Sequence, residues 1–157
     1  MKTKPLTFIL ALTFLFLFSV SVYGEEPEVK REHYDSGKLK SELHLKNGKL
    51  EGLSTLWYES GAKKAETHFK NGKREGLETD WYESGKKRLE AHFKNGKEDG
   101  LRTGWDESGK KKLEIPYKNG KEEGLGLAWY ESDAKKSEYH YKNGKQEGLE
   151  TRWHVSG

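Results

Sequence analysis

Cysteine is absent from all 157 residues of the chain. That excludes disulfides, thiol catalysis, thiolate metal sites and a lipid anchor on an N-terminal cysteine. An excess of one charge is also missing. The 29 basic and 26 acidic residues give a formal charge of +3. They are interleaved rather than clustered, so no one-sign field exists to draw in nucleic acid or an anionic membrane. Apolar residues at helical spacing are missing from the body of the chain. No serine stands in a Gly-x-Ser-x-Gly elbow, and no glycine-rich loop is arranged to cradle phosphate. Two carboxylate pairs exist, Glu122-Glu123 and Glu98-Asp99. Both fall in expected hairpin turns beside lysine, where solvated charge explains them better than acid–base work. Every polar residue recurs as a row, and no set of dissimilar polar groups converges. The chain therefore reads as non-catalytic, with no cofactor.

One apolar run interrupts the polar pattern. Lys2 and Lys4 precede an uncharged stretch from Pro5 to Tyr23 rich in Leu and Phe, and Val22 and Gly24 are small. That is the layout of a secretory signal over residues 1–24, cut before Glu25. An uncleaved anchor is the competing reading, and membrane association is expected only in that case. Cleavage removes two lysines and no acids, leaving 27 basic against 26 acidic residues. The expected address is the periplasm, the cell envelope or the outside. An exported chain is normally free to use disulfides, so this one depends on its sheet and its packing.

What the chain has in quantity is repetition, with a period of 24 residues. Trp stands at 57, 81, 105, 129 and 153, Asn-Gly-Lys at 47–49, 71–73, 95–97, 119–121 and 143–145, and Gly-Leu at 52–53, 76–77, 100–101, 124–125 and 148–149. A fixed period in this range signals a repeat array. Residues 25–32 form a lead-in and a divergent capping strand, frayed over Glu25–Lys30, and residues 33–157 form five units plus a final half-unit.

Each unit reads as two strands. Leu53, Thr55 and Trp57 alternate, as do Ala65, Thr67 and Phe69 against Lys64, Glu66 and His68. Asn71-Gly72 is a two-residue hairpin signal, because a type I′ turn needs positive φ at both central positions. Glu59-Ser60-Gly61-Ala62 is a longer turn with glycine for a left-handed position. Asp133 replaces that glycine in the fifth unit, so a looser turn is expected there. The glycine before each leucine predicts a bulge. The expected fold is all-β: one elongated antiparallel meander of about eleven strands built from stacked 24-residue hairpins. The expected packing puts the Leu53, Trp57 and Phe69 rows on one face and a Lys64/Glu66 ladder on the other. One unit buries about three large side chains, worth ~1.5–3 kcal/mol each. Ordering its residues costs about 1.5 kcal/mol apiece, so a unit needs its neighbours.

The histidines follow the same period. His44, His68, His92 and His140 share one strand position, with Pro116 in the fourth slot. Successive equivalents are separated by a strand and so stand ~9–10 Å apart. That is too far to share one metal ion at ~2 Å per bond, and no metal site is expected. The surface candidates are aromatic: Tyr34, Tyr58, Tyr82 and Tyr130, with Trp57, Trp81, Trp105, Trp129 and Trp153. The tryptophans read as the core of a thin sheet or as a stacking platform. The tyrosines point to the other face by parity and read as the better contact surface.

These residues resemble a known family. Tyr58-Glu59-Ser60-Gly61, Lys63-Lys64, Glu66, Phe69-Lys70-Asn71-Gly72-Lys73 and Glu75-Gly76 are similar to the MORN repeat in its bacterial variant form, over roughly residues 33–157. The units are slightly longer than the family's core motif. The resemblance implies an elongated, twisted antiparallel sheet and a binding or scaffolding role without catalytic residues. Bacterial members are often labelled antitoxin-like, whereas eukaryotic relatives are linked to membrane junctions and protein assembly. The expected function is an extended protein-interaction or scaffold surface at the envelope. A cell-wall carbohydrate module using the aromatics is the alternative, and an immunity protein is a third reading.

Overall fold

The computed structural model describes residues 27–154. The expected signal over residues 1–24 lies outside them. Glu28–His33 (β1) and Leu39–Lys46 (β2) open a single antiparallel sheet, with Lys49–Leu50 (β3), Gly52–Trp57 (β4), Lys63–Lys70 (β5) and Lys73–Trp81 (β6) following. Lys87–Lys94 (β7), Lys97–Glu98 (β8), Gly100–Trp105 (β9), Lys111–Lys118 (β10) and Lys121–Glu122 (β11) continue it. Gly124–Trp129 (β12), Lys135–Lys142 (β13), Lys145–Gln146 (β14) and Thr151–Arg152 (β15) complete it. The strands follow one another across the sheet in chain order. The short segments β3, β8, β11 and β14 are the leading halves of bulged strands, and β6 runs unbroken through the same region. Counted that way there are eleven strands, and the all-β meander is as the sequence implies. β1 pairs with β2 from Glu28 onward, so the expected fraying over Glu25–Lys30 does not extend past Glu28.

Two kinds of turn join the strands, and each has its chemistry in the sequence. Asn71 and Gly72 take φ of 51° and 78° and let Lys70 pair directly with Lys73, which makes a type I′ hairpin. The longer turn closes through Gly61 N–H to the Tyr58 carbonyl and Tyr58 N–H to the Ala62 carbonyl, both 2.9 Å. Asp133 takes the glycine's place with φ of 66°, and its N–H still reaches the Tyr130 carbonyl at 3.0 Å. The looser turn expected there is not found; aspartate tolerates the left-handed region well enough to keep the turn closed.

Register corrects the expected packing. Leu56 pairs with Ala65 while Trp57 pairs with Lys63, so Lys64 is an extra residue on one strand. That bulge shifts the pairing by one, and a one-residue shift exchanges faces. Leu53 then lies opposite His68, Thr55 opposite Glu66, Ser54 opposite Thr67 and Gly52 opposite Phe69. One face carries Leu, Thr, Trp, Glu and His, and is called here the tryptophan face. The other carries Ser54, Leu56, Ala65, Thr67 and Phe69 with Tyr58, and is called the tyrosine face. The Phe69 row does not join the Trp57 row, and the Glu66 ladder shares a face with tryptophan rather than standing alone. Burial is shallow everywhere. Among the described residues, Ala91 and Phe93 are the buried apolar ones, alongside small polar ones such as Ser41, Ser54, Thr55, Thr79, Thr103 and Ser137.

Cohesion comes from links between units. At the tight-turn end, the Asn71 N–H donates to the Glu51 carboxylate at 2.7 Å, and the Gly72 N–H to the Leu50 carbonyl at 2.8 Å. The pattern repeats from Asn95 to Glu75 at 2.7 Å, Asn119 to Asp99 at 3.1 Å and Asn143 to Glu123 at 2.7 Å. At the other end a tyrosine hydroxyl crosses to the next unit, as described below.

Candidate functional site

The tyrosine row is committed to the fold. Each hydroxyl donates to the backbone carbonyl of the next unit's tryptophan: Tyr34 to Trp57 at 2.7 Å, Tyr58 to Trp81 and Tyr82 to Trp105 at 2.8 Å, and Tyr130 to Trp153 at 2.9 Å. A lysine ammonium lies over three of these rings, Lys40 at 5.9 Å from Tyr34, Lys64 at 5.5 Å from Tyr58 and Lys136 at 5.5 Å from Tyr130. The rings are half-buried. Parity places them opposite the tryptophans as expected, but their hydroxyls face the neighbouring unit rather than solvent.

The tryptophans form a ladder with lysine on the other face. Trp57 pairs with Lys63, whose ammonium stands 5.3 Å from the Trp81 ring. Lys87 repeats this on Trp105 at 5.8 Å, Lys111 on Trp129 at 5.3 Å and Lys135 on Trp153 at 5.0 Å. Each of these ammonium groups also meets the carboxylate three residues on: Lys63 to Glu66, Lys87 to Glu90 and Lys135 to Glu138 at 2.5 Å, and Lys111 to Glu114. The indoles are half-buried, neither a sealed core nor a bare platform. Cation–π contact of this kind is worth about 0.5–1 kcal/mol when exposed. The bulge makes the arrangement possible, because it sends Lys63 to a tryptophan and Lys64 to a tyrosine on the opposite face.

What remains uncovered is chiefly the leucine row, with Leu56 on the tyrosine face exposed as well. Leu77, Leu101 and Leu125 keep 40%, 43% and 42% of their surface, Val29 keeps 41% and Leu149 keeps 88%. The expected place for these leucines was the core. The register instead sets each beside a histidine or proline: Val29 with His44, Leu53 with His68, Leu77 with His92, Leu101 with Pro116 and Leu125 with His140. The result is a stripe of aliphatic groups alternating with imidazoles on the tryptophan face, with the Pro116 ring in place of one imidazole. Sequence reasoning missed it as a surface. The signal was the Gly-Leu pair itself: the glycine sits at positive φ in a bulge, and the leucine beside it faces outward with no second layer above.

Charge around these rows is local. Arg31 at 2.7 Å holds the Glu42 carboxyl below its ordinary range, with His44 at 3.2 Å assisting. Burial pushes the Asp80 carboxyl up, against the pull of Arg88 at 2.7 Å. Burial likewise raises the Tyr117 and Tyr141 phenols. No group of three or more His, Asp or Glu among the described residues is placed to hold a metal ion. No helix among them is long and apolar enough to cross a membrane.

Comparison with known proteins agrees with this architecture. The family model described as MORN repeat variant matches residues 29–47, 50–71, 74–95 and 98–119, more than half of the chain. No curated protein matches the chain. The four matched segments each begin in a strand and end in or at a type I′ turn, and the unmatched fifth unit repeats the same links through Tyr130, Glu123 and Asn143. MORN repeats are associated with protein or membrane interaction, and the family is generally non-catalytic. By motif, by register and by the links between its units, the chain belongs to the MORN repeat variant family.

Proposed function

We propose that the chain is an exported, non-catalytic interaction protein, and that its partner is another protein gripped along the leucine–histidine stripe. The observation that carries this reading is the exposure of Val29, Leu77, Leu101, Leu125 and Leu149 at one register position of the repeat, with Leu53 half-buried in the same row. Contiguous apolar surface rimmed by polar groups marks contact sites. Fully burying a leucine is worth ~1.5–3 kcal/mol. A partner covering the exposed two-fifths of several leucines gains on the order of 1 kcal/mol from each. The rigid 24-residue pitch makes those gains simultaneous. Glutamates and lysines flanking the stripe tune encounter rather than affinity.

The test is a cross-linking pull-down from the native envelope with the wild type and with Leu77→Ser/Leu101→Ser/Leu125→Ser. One stoichiometric protein retained by the wild type and lost by the variant supports the reading. Binding to purified peptidoglycan that survives the triple substitution overturns it in favour of carbohydrate. The export part rests on Lys2, Lys4 and the run Pro5–Tyr23. Mass spectrometry of the protein recovered outside the cytoplasm is expected to begin at Glu25, and an intact Met1 contradicts cleavage.

A further inference from the structure

Among the full units, one departs from the tyrosine pattern. Asp106 stands where Tyr34, Tyr58, Tyr82 and Tyr130 stand in the others. Its carboxylate does not replace the lost link. It accepts from the Ser108 hydroxyl at 2.6 Å and the Lys110 N–H at 3.0 Å, and so closes its own turn. The Trp129 carbonyl, whose equivalents in the other units each accept a tyrosine hydroxyl, has no such donor among the described residues. Lys112 occupies the row of Lys40, Lys64 and Lys136, which lie over tyrosine rings. Among the described residues Lys112 has neither a ring nor a carboxylate. Above it is a pocket of about 460 Å³, lined by Lys112, Trp129, Tyr130, Ser132 and Lys136 with Glu131. That volume lies within the range of small-ligand sites.

We propose that this pocket is a receptor for a tyrosine side chain of a partner protein, which takes the place of the ring the chain itself lacks at position 106. The four tyrosines of the other units show what the slot accepts: a flat ring whose hydroxyl donates to a tryptophan carbonyl, in three of them beneath a lysine ammonium. Lys112 supplies the ammonium and Trp129 the carbonyl. Tyr130 and Lys136 wall the slot on the side of the next unit. A phenol satisfies both groups at once. A bare benzyl ring leaves the carbonyl without its donor, and a carboxylate meets the carbonyl oxygen with repulsion. The site lies on the tyrosine face and does not rest on the leucine stripe, so the two readings fail independently.

The experiment is an NMR titration of the full chain with N-acetyl-tyrosinamide, repeated with N-acetyl-phenylalaninamide and with the variants Asp106→Tyr and Asp106→Ala. The expected result is saturable shifts at Lys112, Trp129 and Tyr130 in the wild type and in Asp106→Ala. Phenylalaninamide is expected to bind about fivefold more weakly, the effect of one hydrogen bond. Asp106→Tyr is expected to show no binding and to melt above Asp106→Ala, because its own ring fills the slot. Absence of shifts, equal binding by the phenylalanine probe, undiminished binding to Asp106→Tyr, or a melting point of Asp106→Tyr at or below that of Asp106→Ala each overturns the proposal.

Discussion

Several of the buried side chains are small and polar, and not all of them are satisfied. The hydroxyls of Ser41, Ser54 and Ser137 are buried without a hydrogen-bond partner. Ser137 is 1% exposed and shares its row with Ser41, Ala65, Leu89 and Leu113, a position of the repeat that takes apolar residues in three units. Ser137→Ala is therefore expected to leave stability unchanged or raise it by up to about 1 kcal/mol, since it removes a desolvated group that has no partner. A urea midpoint measures this, and a clear loss contradicts it. Asp80 sits where Leu56 sits in the preceding unit, and burial raises its carboxyl. A carboxyl with a raised folded-state value binds its proton more tightly when folded. Its contribution is therefore present at low pH and declines as the pH rises from the unfolded value through the folded one. Wild type is expected to gain on Asp80→Asn as the pH falls through and just above the ordinary carboxylate range. Denaturant midpoints of the two proteins between about pH 3.5 and 7 read the difference. A difference that is flat, or that moves the other way, contradicts the assignment.

At the scale of the element, turns were legible and faces were not. Asn-Gly specifies its hairpin because two adjacent positive φ values leave few alternatives. The longer turn is equally marked by its glycine, and Gly85 takes φ of 83° there. Gly85→Ala is expected to cost about 1–2 kcal/mol, the penalty for a Cβ in the left-handed region. Asp133→Gly is expected to gain at most about 0.5 kcal/mol, since lost strain is offset by a freer unfolded chain. Thermal or urea unfolding of the pair checks both, and a Gly85→Ala protein as stable as wild type contradicts the turn assignment. The face assignment hung on one bulged residue per unit, Lys64 and its equivalents. A plain hairpin closing at Trp57 and Lys63 sets Leu53 beside Thr67 and Phe69, as strict alternation implies. The bulge sets Leu53 beside His68 instead. Alternation along each strand stays intact on both sides of a bulge, so the pattern within a strand does not reveal it. The one trace was the doubled basic pair, Lys63-Lys64, Lys87-Arg88, Lys111-Lys112 and Lys135-Lys136. Two adjacent like charges are easiest to place when a bulge sends each to a different face.

For the whole molecule, this division of labour is the main result. The residues that make the repeat recognisable, Tyr, Trp, Glu-Gly and Asn-Gly, are consumed in joining each unit to the next. They were the natural candidates for a binding surface because aromatic residues are enriched at interfaces. Their regularity has a mechanical reason, since an acidic side chain at one end of the hairpin and, except at Asp106, a tyrosine hydroxyl at the other link neighbouring units. An array held by nearest-neighbour links is quasi-one-dimensional, and weakening one link lowers the stability of the whole without altering what the sheet presents. The leucine–histidine stripe takes no part in those links, which leaves it open for the proposed contact.

The most direct measurement therefore compares one linking variant with one surface variant in the same two assays. Tyr58→Phe/Tyr82→Phe removes two hydroxyl links, each worth about 0.5–1.5 kcal/mol, and Leu77→Ser/Leu101→Ser/Leu125→Ser strips the stripe. The linking variant is expected to lose the larger share of stability per atom removed, yet to capture the envelope partner as wild type does below its melting point. The surface variant is expected to stay folded and lose the partner. A linking variant that keeps full stability but cannot bind, beside a surface variant that binds normally, contradicts the account.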